Sequence, residues 1–254
     1  MSVPRFGRDV EPHHRRVDVS EWEDVHVVGD VHGCDGEVDR LLDALDVTDD
    51  DLVVFVGDLV RKGPDSKAVV DRVRAADNLL TVRGNNEEKL LRGEKRLPEL
   101  TDDDLDWIAS LPVAISWPGS GGTPGTLVVH GGVDPRVPLD EHGIDDLQTT
   151  RSLVPGGSYG DRPYWWEEYG GPQRVFFGHT VLARPVVREF AVGLDTGCVY
   201  GGDLTAYDWR ADRFRSVAPN GSAEERADRK VLNPPFTTAM DGGEQSMTTG
   251  SESD

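Results

Sequence analysis

The chain has 254 residues, 37% of them hydrophobic, which is enough to bury a substantial core in one large domain. Its 47 acidic residues against 27 basic ones, of which five are lysines, leave a formal charge of -20, a surface that disfavours nucleic acid polymers and anionic membranes because both are held chiefly by lysine and arginine. No run approaches the roughly 20 apolar residues of a membrane helix, and the start MSVPRFGRDVEPHHRR lacks a signal peptide's apolar core, so a cytoplasmic protein is expected.

Residues 1–20 carry charge and proline without periodicity and read as a flexible tail. After them come short apolar runs that stop at Gly, Asp or His: VHVVGD from Val25, LVVFVGD from Leu52, LLTVRGN from Leu79, LVVHGG from Leu127 and RVFFGH from Arg174. Being short, continuous and rich in valine and phenylalanine, they predict buried strands. Helical spacing fills the early gaps, with Val38, Leu41, Leu42 and Leu45 on one face after Asp35, and Val69, Val70 and Val73 on one face after Pro64. From about residue 185 the runs PVVREF, AVGLDTG, DLTAYDW and RFRSVA follow closely without helices, which predicts a second, largely antiparallel sheet packed on the first. Residues 219–254 end in DGGEQSMTTGSESD and read as a disordered acidic tail, so the domain is expected over 21–218. The fold class is α/β, two packed mixed sheets flanked by helices. Acid excess with few lysines also suggests adaptation to high salt.

The polar residues are concentrated at strand ends. Asp30 and His32, then Asp58, Asn85, His130 and His179 each close one of the five early runs, with glycines beside them that let the backbone turn sharply. Ligands at the carboxyl ends of α/β strands converge on one crevice. Singly, such an Asp is a turn or helix cap and such a His a hydrogen-bonded rim residue; five strand ends together point to a metal centre. Oxygen and imidazole donors without thiolate suit Mn, Fe, Zn or Mg. Cys34 and Cys198 form no CxxC pair and read as packing residues. His13, His14, His26 and His142 have no supporting motif and no assigned role.

At these positions the sequence resembles the PPP family of metallophosphoesterases, the group that includes Ser/Thr protein phosphatases and symmetrical diadenosine tetraphosphatases. The match runs from Gly29 to about Tyr207 through GDVHG (Gly29–Gly33), GDLVRKG (Gly57–Gly63), RGNNE (Arg83–Glu87), HGG (His130–Gly132) and GHT (Gly178–Thr180), in the family's order. GDLVRKGPDS and LDTGCVYGGDLTA look more like the diadenosine tetraphosphatase branch. The resemblance implies two divalent ions, manganese foremost, with Asp30 and His32 on the first, Asn85, His130 and His179 on the second, and Asp58 bridging. It also implies positive charge for a small phosphorylated substrate from Lys62, at the family's arginine position, with Arg61 beside it and Arg151 in the loop after His130.

Two positions depart from the family. Its third motif reads GNHE, with a histidine as acid to the leaving oxygen, where this chain has Asn86; its protein phosphatases support that histidine with an aspartate where this chain has Arg61. The expected function is hydrolysis of phosphoanhydrides or phosphomonoesters, with a dinucleoside polyphosphate as the model substrate. The alternatives are a protein Ser/Thr phosphatase and a phosphate-binding pseudo-enzyme.

Overall fold

A computed structural model describes residues 3–119 and 121–234. Strand β1 (His14–Arg16) precedes β2 (Val25–Val28), and α1 (Asp35–Ala44) leads to β3 (Leu52–Phe55). Helix α2 (Ser66–Ala75), β4 (Leu79–Thr81), α3 (Asn85–Leu91) and α4 (Asp102–Ser110) follow, then β5 (Ala114–Trp117) and β6 (Thr126–Val129). After α5 (Ile144–Thr149) and α6 (Trp165–Glu168) come β7 (Arg174–Phe177), β8 (Val186–Arg188), β9 (Ala191–Gly193), β10 (Leu204–Asp208) and β11 (Arg213–Val217). Asp65 starts α2 by accepting the Ala68 N–H at 2.9 Å, so the helix begins just past Pro64.

The strands form two sheets, in the orders β11-β10-β2-β3-β4 and β1-β5-β6-β7-β9-β8. Strands β2, β3 and β4 run parallel, as do β6 and β7. The expected fold class holds, but the last four strands do not make a sheet of their own. Strands β8 and β9 extend the sheet of β6 and β7, while β10 returns to pair antiparallel with β2 and β11 adds to its outer edge. Strand spacing cannot distinguish a new sheet from a chain that crosses between two.

Each early run is largely apolar because both of its faces are covered. In β3, Leu52 and Val54 point into the sandwich, where they join Ile115, Trp117, Val128 and Phe176 of the other sheet; Val53 and Phe55 point out to Val38, Leu41, Val69 and Val70 of α1 and α2. In the second sheet Leu127, Val129 and Phe177 face Leu147 of α5 and the paired Trp165 and Trp166 of α6.

The expectation of a loose tail over 1–20 is corrected. Strand β1 lies parallel to β5 at the sheet edge, Phe6 and Val10 are buried, and His14 Nε2 lies 2.8 Å from Ser116 Oγ. The fold also extends beyond 218. The Ala223 and Glu224 N–H groups donate to the Val199 carbonyl, and Leu232 bridges to Leu182. Residues 235–254 of the expected acidic tail lie outside the described residues. No helix among the described residues is long and apolar enough to cross a membrane.

Candidate functional site

The six strand-end residues come from both sheets. Asp30, Asp58 and Asn85 follow β2, β3 and β4 of the first sheet, and His130 and His179 follow β6 and β7 of the second. The sandwich therefore brings their carboxyl ends to a single locus, in line with the rule for α/β crevices.

Asp58 stands between two groups. Its Oδ2 lies 3.6 Å from His32 Nε2, which is 3.9 Å from Asp30 Oδ2. Its Oδ1 lies 3.3 Å from His130 Nε2. Asn85 Oδ1 sits 3.0 Å from that same His130 nitrogen and 2.9 Å from His179 Nδ1. Asp30, His32 and Asp58 present ligand atoms all within 4.8 Å of one another, an arrangement that could hold a metal ion.

The backbone is contorted here and nowhere else to the same degree. Of the seven non-glycine residues with left-handed backbone among the described residues, five are His32, Asp58, Arg61, Lys62 and His179. Such conformations cost energy and concentrate where function requires them. Two glycines are dictated by the carboxylates they touch. A Cβ on Gly178 would lie 1.9 Å from Asp30 Oδ1, and one on Gly84 would lie 2.3 Å from Asp58 Oδ1. Buried Glu87 braces the turn, its carboxylate accepting N–H groups of Asp58, Val60 and Gly84 at 2.8–3.1 Å.

Electrostatics follow from burial. Burial, with Asp195 nearby, pushes the Asp30 carboxyl well above the usual carboxylate range. Burial acts on Asp58 in the same direction, but His130 beside it holds that carboxyl well below the range. Conversely, burial disfavours a charged His130, and Asp58 outweighs it, raising His130 to about 10. Burial pushes His32 down to about 3 and His179 down as well. The balance favours neutral His32 and His179, the form of imidazole that can ligate a metal.

The predicted cations are close by. Lys62 Nζ lies 2.8 Å from His32 Nε2, and although burial opposes its charge, Asp58, Tyr200 and Asp195 keep its pKa above the ordinary value. Arg151 donates to Thr180 Oγ1 at 2.9 Å and to the His179 carbonyl at 3.4 Å, so it lies against the fifth strand end. Arg61 is engaged differently. Its Nη1 donates to Asn86 Oδ1, and Asn86 in turn donates its Nδ2 to Asp58 Oδ2 and its N–H to Asp58 Oδ1 at 2.8 Å. Where the family's acid pair would stand, this chain has an arginine and an amide wired to Asp58.

Three residues escaped the sequence reading. Asp195, buried and facing the charge of Lys62, lies in the GLDTG run just after β9, so the strand-end rule that pointed to the six candidates would have found it. Tyr159 donates its hydroxyl to the His179 carbonyl at 3.3 Å, and Arg226 reaches that hydroxyl at 2.5 Å. Neither has a local signal, since both sit in polar loops. Elsewhere, Cys34 and Cys198 are free, buried and hydrogen-bonded to each other beside Glu37.

The calcineurin-like phosphoesterase profile matches residues 24–215. The chain is 27% identical to the asymmetrical bis(5'-nucleosyl)-tetraphosphatase PrpE of Oceanobacillus iheyensis, over 82% of this chain and 98% of that protein. It is 26% identical to the symmetrical bis(5'-nucleosyl)-tetraphosphatase of Erwinia tasmaniensis, over 77% and 97%. Among solved structures, one named as a candidate diadenosine tetraphosphatase superposes with a TM-score of 0.70 and 32% identity, covering 82% of this chain and 99% of that one.

Proposed function

The chain belongs to the calcineurin-like phosphoesterase family and is a metal-dependent hydrolase; from that premise we propose that it cleaves a phosphoanhydride bond of a small dinucleoside polyphosphate at a pair of divalent ions. One observation carries the two-ion reading: the two carboxylate oxygens of Asp58 face separate ligand groups, Oδ2 toward His32 and Asp30, Oδ1 toward His130 and Asn85. The donors are oxygen and neutral-capable imidazole with no thiolate among them, a set that fits hard or borderline divalent ions, manganese foremost. Asp30, His32 and Asp58 would hold the first ion, and Asp58, Asn85, His130 and His179 the second. Bound ions supply an acidified water nucleophile and offset charge on the phosphoryl oxygens.

The remaining chemistry falls to the chain's own side chains. Lys62 and Arg151 place positive charge beside the ligands and orient the phosphate being attacked; as a lysine, Lys62 gives a point charge rather than a two-pronged contact. Arg61 and Asn86, joined to Asp58, offer no group that gives up a proton near neutral pH. A leaving group that departs as a weakly basic anion needs none, and a nucleotide phosphate leaving an anhydride is such a group. Serine alkoxide is not. The names of the two relatives point to the same substrate class. Product analysis of diadenosine tetraphosphate with the manganese-loaded protein tests the reading: ADP alone, or ATP with AMP, supports it and distinguishes the two cleavage positions, whereas no nucleotide product rejects it.

A further inference from the structure

Arg226 lies outside the stretch in which the family motifs occur, yet it joins the site through an unbroken array of rings and cations. Its Cζ lies 4.9 Å from the centre of the Tyr159 ring and 4.7 Å from that of Tyr200. Arg151 Cζ lies 4.0 Å from the same Tyr159 ring, and Lys62 Nζ lies 5.2 Å from the same Tyr200 ring. The Tyr200 ring is 6.4 Å from that of His32, and the Tyr159 hydroxyl bonds the His179 carbonyl. Three cations thus share two rings directly beside candidate metal ligands.

In a chain with 47 acidic residues and 27 basic ones, a cluster of three cations would be expected to attract carboxylates. Among the described residues none stands within ion-pair distance of Lys62, Arg151 or Arg226. Three half-buried cations around two rings repel one another and are costly to desolvate; buried Asp195 and Asp58 offset part of that charge without forming an ion pair with any of them, so the arrangement leaves room for an anion that arrives from outside. The guanidiniums are also held in a defined pose. Arg226 uses Nε on the Lys230 carbonyl at 2.9 Å and Nη2 on Tyr159, and Arg151 uses Nε and Nη2 on the His179–Thr180 turn. Each still has N–H donors to spare, and a stacked guanidinium presents them as a fixed fork suited to phosphate.

We propose that Arg226, stacked on Tyr159 and Tyr200, forms a subsite for the phosphates of a polyphosphate chain beyond the one being cleaved, so that the segment after β11 sets a preference for substrates with several linked phosphates over monoesters. The inference rests on the anhydride reading above and names the residue that recognises the rest of that substrate. Lys62 and Arg151 stand next to the candidate ligands and serve the reacting phosphate; Arg226 lies one ring farther out, across Tyr159 and Tyr200. The aromatic rings are occupied by cations, which favours phosphate rather than a stacked base as the occupant.

Isothermal titration of orthophosphate and of tripolyphosphate carrying methylene groups in place of its bridging oxygens, a form that cannot be hydrolysed and is the tripolyphosphate meant below, into the full-length protein, with manganese in excess over ligand, reads this subsite without turnover. Tripolyphosphate is expected to bind wild type at least about tenfold more tightly than orthophosphate. R226Q should lose about tenfold in affinity for tripolyphosphate and under about threefold for orthophosphate, with R226K in between. Equal losses for the two ligands, or an unchanged tripolyphosphate affinity in R226Q, would overturn the subsite. Diadenosine tetraphosphate turnover in the same preparations reports on the hydrolase separately, since tripolyphosphate discrimination without turnover would reject the anhydride reading and leave the subsite standing.

Discussion

Asp58 is where the two ligand groups meet, and its replacement is correspondingly informative. Asp58→Asn keeps the shape but puts an amide NH2 toward either His32 or His130, so one half of the site loses an acceptor. Turnover is expected to fall by at least about 10³, and metal content of the purified variant should drop at both positions; two ions bound as tightly as in wild type would refute the bridge. Asn86 is the second telling residue. A positioned general acid contributes about 10² to 10⁴ in rate, most for strongly basic leaving groups. Asn86→His should therefore raise phosphoserine hydrolysis more than anhydride hydrolysis, and an equal gain on both would show that the missing acid does not set specificity. The six candidate ligands were legible because each ends an apolar run beside glycine, and Gly84 and Gly178 show the reason: a side chain there would collide with Asp58 or Asp30. The wiring of Arg61 through Asn86 to Asp58 was not legible, because it depends on backbone conformations that residue spacing does not reveal.

At the scale of elements, the strands that carry the candidate ligands were readable and the edges were not. Strands β2, β3, β4, β6 and β7 are almost wholly buried, and their largely apolar runs say so. Strand β1 is three residues, HRR, with one buried side chain, and nothing in its composition marks it. Helix α6 is one turn held by its tryptophans against Phe177. The edge strand gives a pH test of its own packing. His14 is buried against the Phe6 ring, and burial pushes its pKa from 6.5 down to about 4. The folded state thus favours neutral His14, so its contribution is complete above pH 6.5 and is lost as pH falls toward 4. Relative to His14→Gln, wild type should lose on the order of 2 kcal/mol between those limits. Denaturant titrations at several pH values would measure it, and parallel pH profiles for the two proteins would place His14 outside the core.

For the whole molecule, the two sheets matter more than either alone. Four candidate ligands descend from one sheet and two from the other, so the site forms only when the sandwich closes over Val54, Val128, Phe176 and their neighbours. Strand order was the illegible part: AVGLDTG and DLTAYDW lie close in sequence yet enter different sheets. The charge of -20 acts on the whole fold as self-repulsion, which salt screens, the screening length falling from about 10 Å at 0.1 M to about 3 Å at 1 M. The melting temperature should rise by several degrees over that range, and a flat or falling profile would show that the acidic surface does not limit stability. The central claim, an anhydride hydrolase working through divalent ions without a general acid, is tested most directly by kcat/KM for diadenosine tetraphosphate and for a phosphoserine peptide, measured on metal-stripped protein before and after manganese is restored. We expect no turnover of either substrate when stripped, and after restoration a preference for the anhydride of at least about tenfold; turnover without metal, or equal kcat/KM for the two substrates, would contradict it.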